Sequence, residues 1–114
     1  MATIEQTTLT NLINNEQYAR KVLPFIRGDY FSDRIERIIF EEIQKFVEKY
    51  NSLPNKNSIE VELNSRKDLN EDDFKRIVEV VKNLQKDDDV NFDWLVETTE
   101  QFCKDKAVYN AIVD

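Results

Sequence analysis

Histidine is missing altogether, glycine and cysteine occur once each, and proline twice in 114 residues. Each scarcity removes a class of chemistry. Without histidine there is no imidazole base, no Cys–His nucleophile and no ordinary zinc site. A single glycine, Gly28, cannot build a phosphate-cradling loop, which excludes a P-loop or dinucleotide fingerprint within these residues. Cys103 alone permits neither an internal disulfide nor paired thiol chemistry, and with no apolar leader at the start it points to a cytosolic protein. The longest strictly aliphatic or aromatic run, Ile38-Ile39-Phe40, is far too short to span a bilayer.

Positive charge is also in deficit, with 16 Lys and Arg against 23 Asp and Glu. A net charge of -7 disfavours sequence-independent binding to nucleic acid, which relies on clustered cations neutralising phosphates. It equally opposes docking on an anionic membrane. Residues 1–56 hold eight basic and eight acidic side chains and residues 57–114 eight and fifteen, so all the net charge lies in the second half. Solvated helix faces explain this, as does an acidic surface turned toward a basic partner. The remaining composition, 40% apolar and 34% charged, is that of a globular chain sized for one domain.

Helical spacing dominates what is present. Leu9, Leu12 and Ile13 form the stripe of a short first helix, with Thr7 or Thr8 near its start. Asn15 precedes a second, carrying Tyr18, Ala19, Val22 and Leu23 and limited by Pro24; Gly28 beside Asp29 marks a turn. Ser32 or Asp33 caps the clearest element, in which Ile35, Ile38, Ile39, Ile43, Phe46, Val47 and Tyr50 recur at three- and four-residue steps. Glu36, Arg37, Glu41, Glu42, Lys45, Glu48 and Lys49 fill its other face, and Asn51-Ser52-Leu53-Pro54 ends it. Residues 59–63 alternate like a strand, but Asn57 and Glu60 have capping-box spacing and no second strand exists to pair with, so a short helix is expected. Asn70 caps a helix with Phe74, Ile77, Val78, Val81 and Leu84. After a polar loop at Lys86-Asp87-Asp88-Asp89, Asn91 or Asp93 opens a long last helix with Leu95, Thr98, Phe102, Val108 or Tyr109, and Ile112 as its inner face. That pattern runs to Asp114 without glycine, basic last turn or proline, which predicts continuation into a longer protein.

The remaining features read as structural. Glu71-Asp72-Asp73 suits the first turn of a helix. Neither that cluster nor Asp87-Asp88-Asp89 has the alternating carboxylates and glycine of a calcium loop, and at most a weak adventitious cation site is left. Phe40, Phe46, Phe74 and Phe102 fall on core stripes rather than forming a stacking platform for single strands. Tyr30 and Phe31 staple the start of the long helix, Trp94 anchors the last helix, and Cys103 packs as a small residue. Arg27, Arg34 and Arg37 alternate with Asp29, Asp33 and Glu36 and are expected to pair with them. Residue chemistry thus yields a helical module that binds something or assembles.

Leu9, Leu12 and Ile13, then Asn15-Glu16, Val22 and Pro24, Asp29-Tyr30-Phe31, Arg37-Ile38-Ile39-Phe40 with Ile43, Tyr50-Asn51-Ser52-Leu53-Pro54, and Ile59 with Leu63 follow one another in a familiar order. This order resembles the N-terminal domain of DnaB-type replicative DNA helicases. Asp93-Trp94-Leu95-Val96-Glu97, Thr99-Glu100, Ala107 and Tyr109-Asn110-Ala111 are similar to the branch found in T-even-type bacteriophages. The resemblance runs from about Ile4 to Ala111 and is weakest between Asn64 and Asn91.

The resemblance implies an all-α, compact bundle of about six helices over residues 1–114, with a linker and a RecA-like ATPase domain beyond. It implies assembly into a hexamer and contacts with primase or helicase loader, in the bacterial host cytoplasm during infection. No catalytic, cofactor or metal site is expected in these residues; ATP and magnesium would belong to the ATPase domain, and direct DNA binding is not expected here. Val108, Ile112 and Val113 are the candidate protein interface, with coverage of the core as the competing role. A free-standing helical phage adaptor or inhibitor is the alternative function, and a small carboxylate enzyme a third.

Overall fold

The computed structural model describes residues 3–86 and 89–113. Their regular structure is six α-helices: α1 (Ile4–Asn14), α2 (Glu16–Val22), α3 (Arg34–Tyr50), α4 (Lys56–Asn64), α5 (Glu71–Lys82) and α6 (Phe92–Val113), with 3-10 turns at Leu23–Phe25 and Gly28–Tyr30. Asp87, Asp88 and Asp114 lie outside the described residues, so the polar loop is described only at Lys86 and Asp89.

Helix starts follow local capping chemistry. Asn15, Asp33 and Asn70 cap α2, α3 and α5 through their side-chain oxygens, and Asn70 forms a capping box with Asp73. Asn91 accepts from the Trp94 N–H at 2.9 Å and so opens α6. Two starts differ from the expected ones. Thr3, not Thr7 or Thr8, caps α1 in a box with Gln6, while Thr8 is buried and donates to the Ile4 carbonyl. Asn55, not Asn57, caps α4, whose helical state over 59–63 agrees with the expected short helix. α3 closes on Asn51 in the left-handed region, φ 53°, an orientation that asparagine tolerates.

α3 is the hub, packing against α1, α4, α5 and the Gly28–Tyr30 turn, while α6 crosses α2 and α1. Phe31 and Phe40 are fully buried and stacked with centroids 5.0 Å apart, and Phe102 meets Phe31 edge-on at 6.1 Å. Phe31 is therefore a central core residue rather than only a staple at the head of α3. Phe46 and Phe74 are half-buried at the margin. Gly28 fits a close approach: a Cβ there would stand 3.1 Å from the Glu41 carboxylate.

Two polar features inside the bundle were not expected. Glu36 and Glu42, assigned to the solvent face of α3, are buried, at 8% and 5% exposure. Burial is the main cause that raises both carboxyls above the usual range; Asp33 and Glu5 add to it at Glu36, against a hydrogen bond with Gln6. At Glu42, Lys45 and Arg66 oppose the rise and Glu62 adds to it. A raised value in the fold means that this group's contribution to stability is full below the unfolded carboxylate range and is lost as pH rises through the folded value. Glu42→Gln is accordingly expected to stabilise the chain at pH 7 by on the order of a few tenths of a kcal/mol. Urea melts should show that gap closing as both proteins are taken down through the carboxylate range.

The second feature is a hydroxyl pair. Tyr18 Oη lies 2.6 Å from Thr99 Oγ1, both residues fully buried. Thr99 donates to the Leu95 carbonyl, which leaves Tyr18 as the donor to Thr99. Burial pushes the phenol above its ordinary value, against hydrogen bonding with Thr99 and Thr8. The asymmetry is testable. Tyr18→Phe removes a hydroxyl and strands nothing, costing about 1 kcal/mol, whereas Thr99→Val deprives a buried phenol of its closest acceptor and should cost about 2 kcal/mol. Denaturant titrations of the two variants would rank them.

Candidate protein interface

Buried positions on α6 are Leu95, Val96, Thr99, Phe102 and Cys103, at three- and four-residue steps. Extended by the helical period, that face continues through Lys106 and Asn110. Lys106 Nζ donates to Ser32 Oγ at 3.2 Å and Asn110 Nδ2 to the Asp29 carbonyl at 3.3 Å. The last turns of α6 are thus tied by polar links to the connection between α2 and α3. Thr99 replaces the expected Thr98 on the inner face, and Val108, Tyr109 and Ile112 are not part of it.

Val108, Ile112 and Val113, the residues singled out in the sequence, stand at 60%, 78% and 62% exposure. Tyr109 joins them at 60%, with the Lys106 ammonium 5.9 Å from its ring centre. Val108 and Ile112 are four residues apart and project from the side opposite the buried stripe. Among the described residues they stand outside the buried core. Their exposure at one helix end makes this segment the candidate interface. The polar middle of α6 (Glu97, Gln101, Lys104, Asp105) separates this patch from Trp94, which is half-exposed rather than packed as an anchor.

A second feature escaped the sequence. α2, the Leu23–Phe25 turn and the last turns of α3 enclose a groove of about 400 Å³. Ala19, Leu23, Pro24, Val47 and Leu53 make its apolar lining, and Glu16, Arg20 and Glu48 are among its polar members. Arg20 and Glu16 pair across one helical turn at 2.8 Å. The signal in the sequence was Leu53-Pro54 after the α3 cap, which turns the chain back over the helix end, but no local pattern states that space is left beneath.

The arginine cluster pairs only partly as expected. Arg27 meets Asp29 at 3.3 Å, but Arg34 reaches Asp73 of α5 at 2.8 Å, and Arg37 donates to the Phe31 carbonyl. Through that hydrogen bond Arg34 holds the Asp73 carboxyl below its usual range. Cys103 is buried, and burial pushes its thiol up to about 11. Among the described residues, no helix is long and apolar enough to cross a membrane and no group of three Cys, Asp or Glu side chains converges to hold a metal ion.

Residues 1–93 match the family described as DnaB-like helicase N terminal domain. The chain belongs to that family. The DnaB-like domain is also distantly similar to a DnaB-like replicative helicase of Enterobacteria phage T4, at 28% identity over 103 residues. That alignment covers 90% of this chain and 21% of the phage protein, so the chain spans about a fifth of its relative's length. The six-helix bundle is consistent with the family, and the exposed end of α6 lies beyond the residues that the family match covers.

Proposed function

We propose that this DnaB-like domain is the assembly and partner-docking head of a phage replicative DNA helicase. In this reading it helps subunits form a hexameric ring and contributes contacts to primase or helicase loader. A linker and a RecA-like domain beyond residue 114 carry ATP, magnesium and DNA translocation, and the acidic head leaves DNA binding to that part. The observation that carries the reading is the exposed apolar end of α6, Val108, Tyr109, Ile112 and Val113, on a domain of this family. The low count of basic residues and the scarcity of glycine support it as well.

Sedimentation across a concentration series tests the assembly role: a reversible monomer–oligomer equilibrium is expected, and a strict monomer at the highest concentration would refute it for the isolated domain. The coding sequence past Asp114 tests the rest. A linker followed by a phosphate-binding loop is expected; a stop codon would favour the free-standing adaptor.

A further inference from the structure

We propose that the α2–α3 groove receives one face of a basic amphipathic helix from another protein. This surface is separate from the end of α6, and the proposal stands whether or not copies of the chain self-associate. Both walls are helical stripes in the same register. Glu16, Ala19, Arg20 and Leu23 recur at three- and four-residue steps on one side, and Gln44, Val47, Glu48 and Asn51 do so on the other. Leu53 adds to the apolar floor, and no other helix contributes to the lining. Leu23, Val47 and Leu53 pack against the core yet stay half-buried, so apolar surface is left facing the groove. Its volume of about 400 Å³ falls within the roughly 300–1,000 Å³ typical of ligand sites. A trough between two helices admits a row of side chains at i, i+3, i+4 and i+7, the anchors by which an amphipathic helix binds.

Charge selects the occupant. Of the charged side chains in the lining, Arg20 spends its Nε and Nη2 donors on Glu16, at 3.2 and 2.8 Å. Glu48 is exposed and has no salt-bridge partner among the described residues. α2 and α3 both end at the groove, with Leu23 and Asn51 as their C-caps. Each therefore brings the negative pole of its dipole and its last carbonyls to the same space. Lys21 and Lys49, basic residues in those last turns, lie outside the lining, and the Lys49 ammonium stands 5.2 Å from the Tyr50 ring centre. Lysines or arginines flanking the apolar row of an incoming helix thus meet Glu48 and two helix ends, where complementary charge sets register. The same field disfavours other occupants. A second copy brings a net charge of -7 of its own, and a nucleic-acid backbone finds no unpaired cation in the lining.

The test uses the ¹⁵N-labelled chain and a short lactam-bridged helical peptide with leucines at i, i+3, i+4 and i+7 flanked by lysines. One companion peptide replaces the lysines by glutamates, and another scrambles the order at fixed composition. Fluorescence anisotropy reads the affinity, and amide chemical shifts locate the site. The basic peptide should move amides on α2 and the last turns of α3, and bind at least about tenfold more tightly than either companion. Glu48→Lys, an exposed change whose folding is checked by circular dichroism, should weaken that binding roughly tenfold. Equal binding of the basic and acidic peptides, or no effect of Glu48→Lys, would overturn the proposal. Shifts centred on the end of α6, or no binding at all, would do the same. Groove amides that move when the chain alone is concentrated would give the site to a second copy and overturn it too. Sedimentation of the chain alone reads the assembly role independently, so the two readings fail separately.

Discussion

Phe40→Ala is expected to leave the chain close to unfolding at ambient temperature. The ring is fully buried, stacked on Phe31, and carried by the hub helix α3. Truncating a buried phenylalanine loses its transfer free energy and leaves a cavity that close-packed neighbours fill only partly, at a cost of about 3–5 kcal/mol. Domains have only about 5–15 kcal/mol to lose. A midpoint lower by roughly 15–20 °C should follow in a thermal melt monitored by circular dichroism. Phe25→Ala is the control, because that ring is 39% exposed, and it should cost less than about 1 kcal/mol. Equal losses at the two positions would mean that the core is not centred on the Phe31–Phe40 pair.

Ile112→Asp should do the opposite: leave the fold intact and weaken the proposed self-association. At 78% exposure the side chain contributes little to the monomer, so the unfolding free energy should stay within about 0.5 kcal/mol of the parent. In an oligomer, the same substitution removes an apolar anchor and buries a carboxylate beside apolar partners. An interface centre of this kind commonly loses 2 kcal/mol or more on truncation, and the added charge should bring the weakening of self-association to about a hundredfold. Sedimentation equilibrium reads the association and a urea melt the stability. Loss of both together would show that Ile112 supports the fold after all.

The helices were legible because capping is local. Asn15, Asp33 and Asn70 each satisfy backbone donors two or three residues ahead, which a linear sequence displays directly. Where two capping residues stand close together, local chemistry could not choose: Asn55 and Asn57 are the same residue type, and the helix starts from the earlier one. The face of α6 was misread for a related reason. Ala107, Val108, Tyr109, Ala111, Ile112 and Val113 leave almost no polar side after Lys106, so periodicity has nothing to lock onto. The true register is set by Tyr18, 81 residues away, which selects Thr99 over Thr98. Burial of Glu36 and Glu42 was hidden likewise, since polar positions on an amphipathic helix are covered only when neighbouring elements close over them. The interface candidates Val108, Ile112 and Val113 were visible as residues, but their exposure, and the groove between α2 and α3, exist only once the chain has folded.

Cys103 gives this domain an internal clock. A sulfur enclosed by the bundle, with its proton held until about pH 11, presents almost no thiolate to an alkylating reagent in neutral solution. Labelling should therefore be slow, its pace set by how often α6 lifts from its neighbours together with the reactivity of the sulfur once exposed.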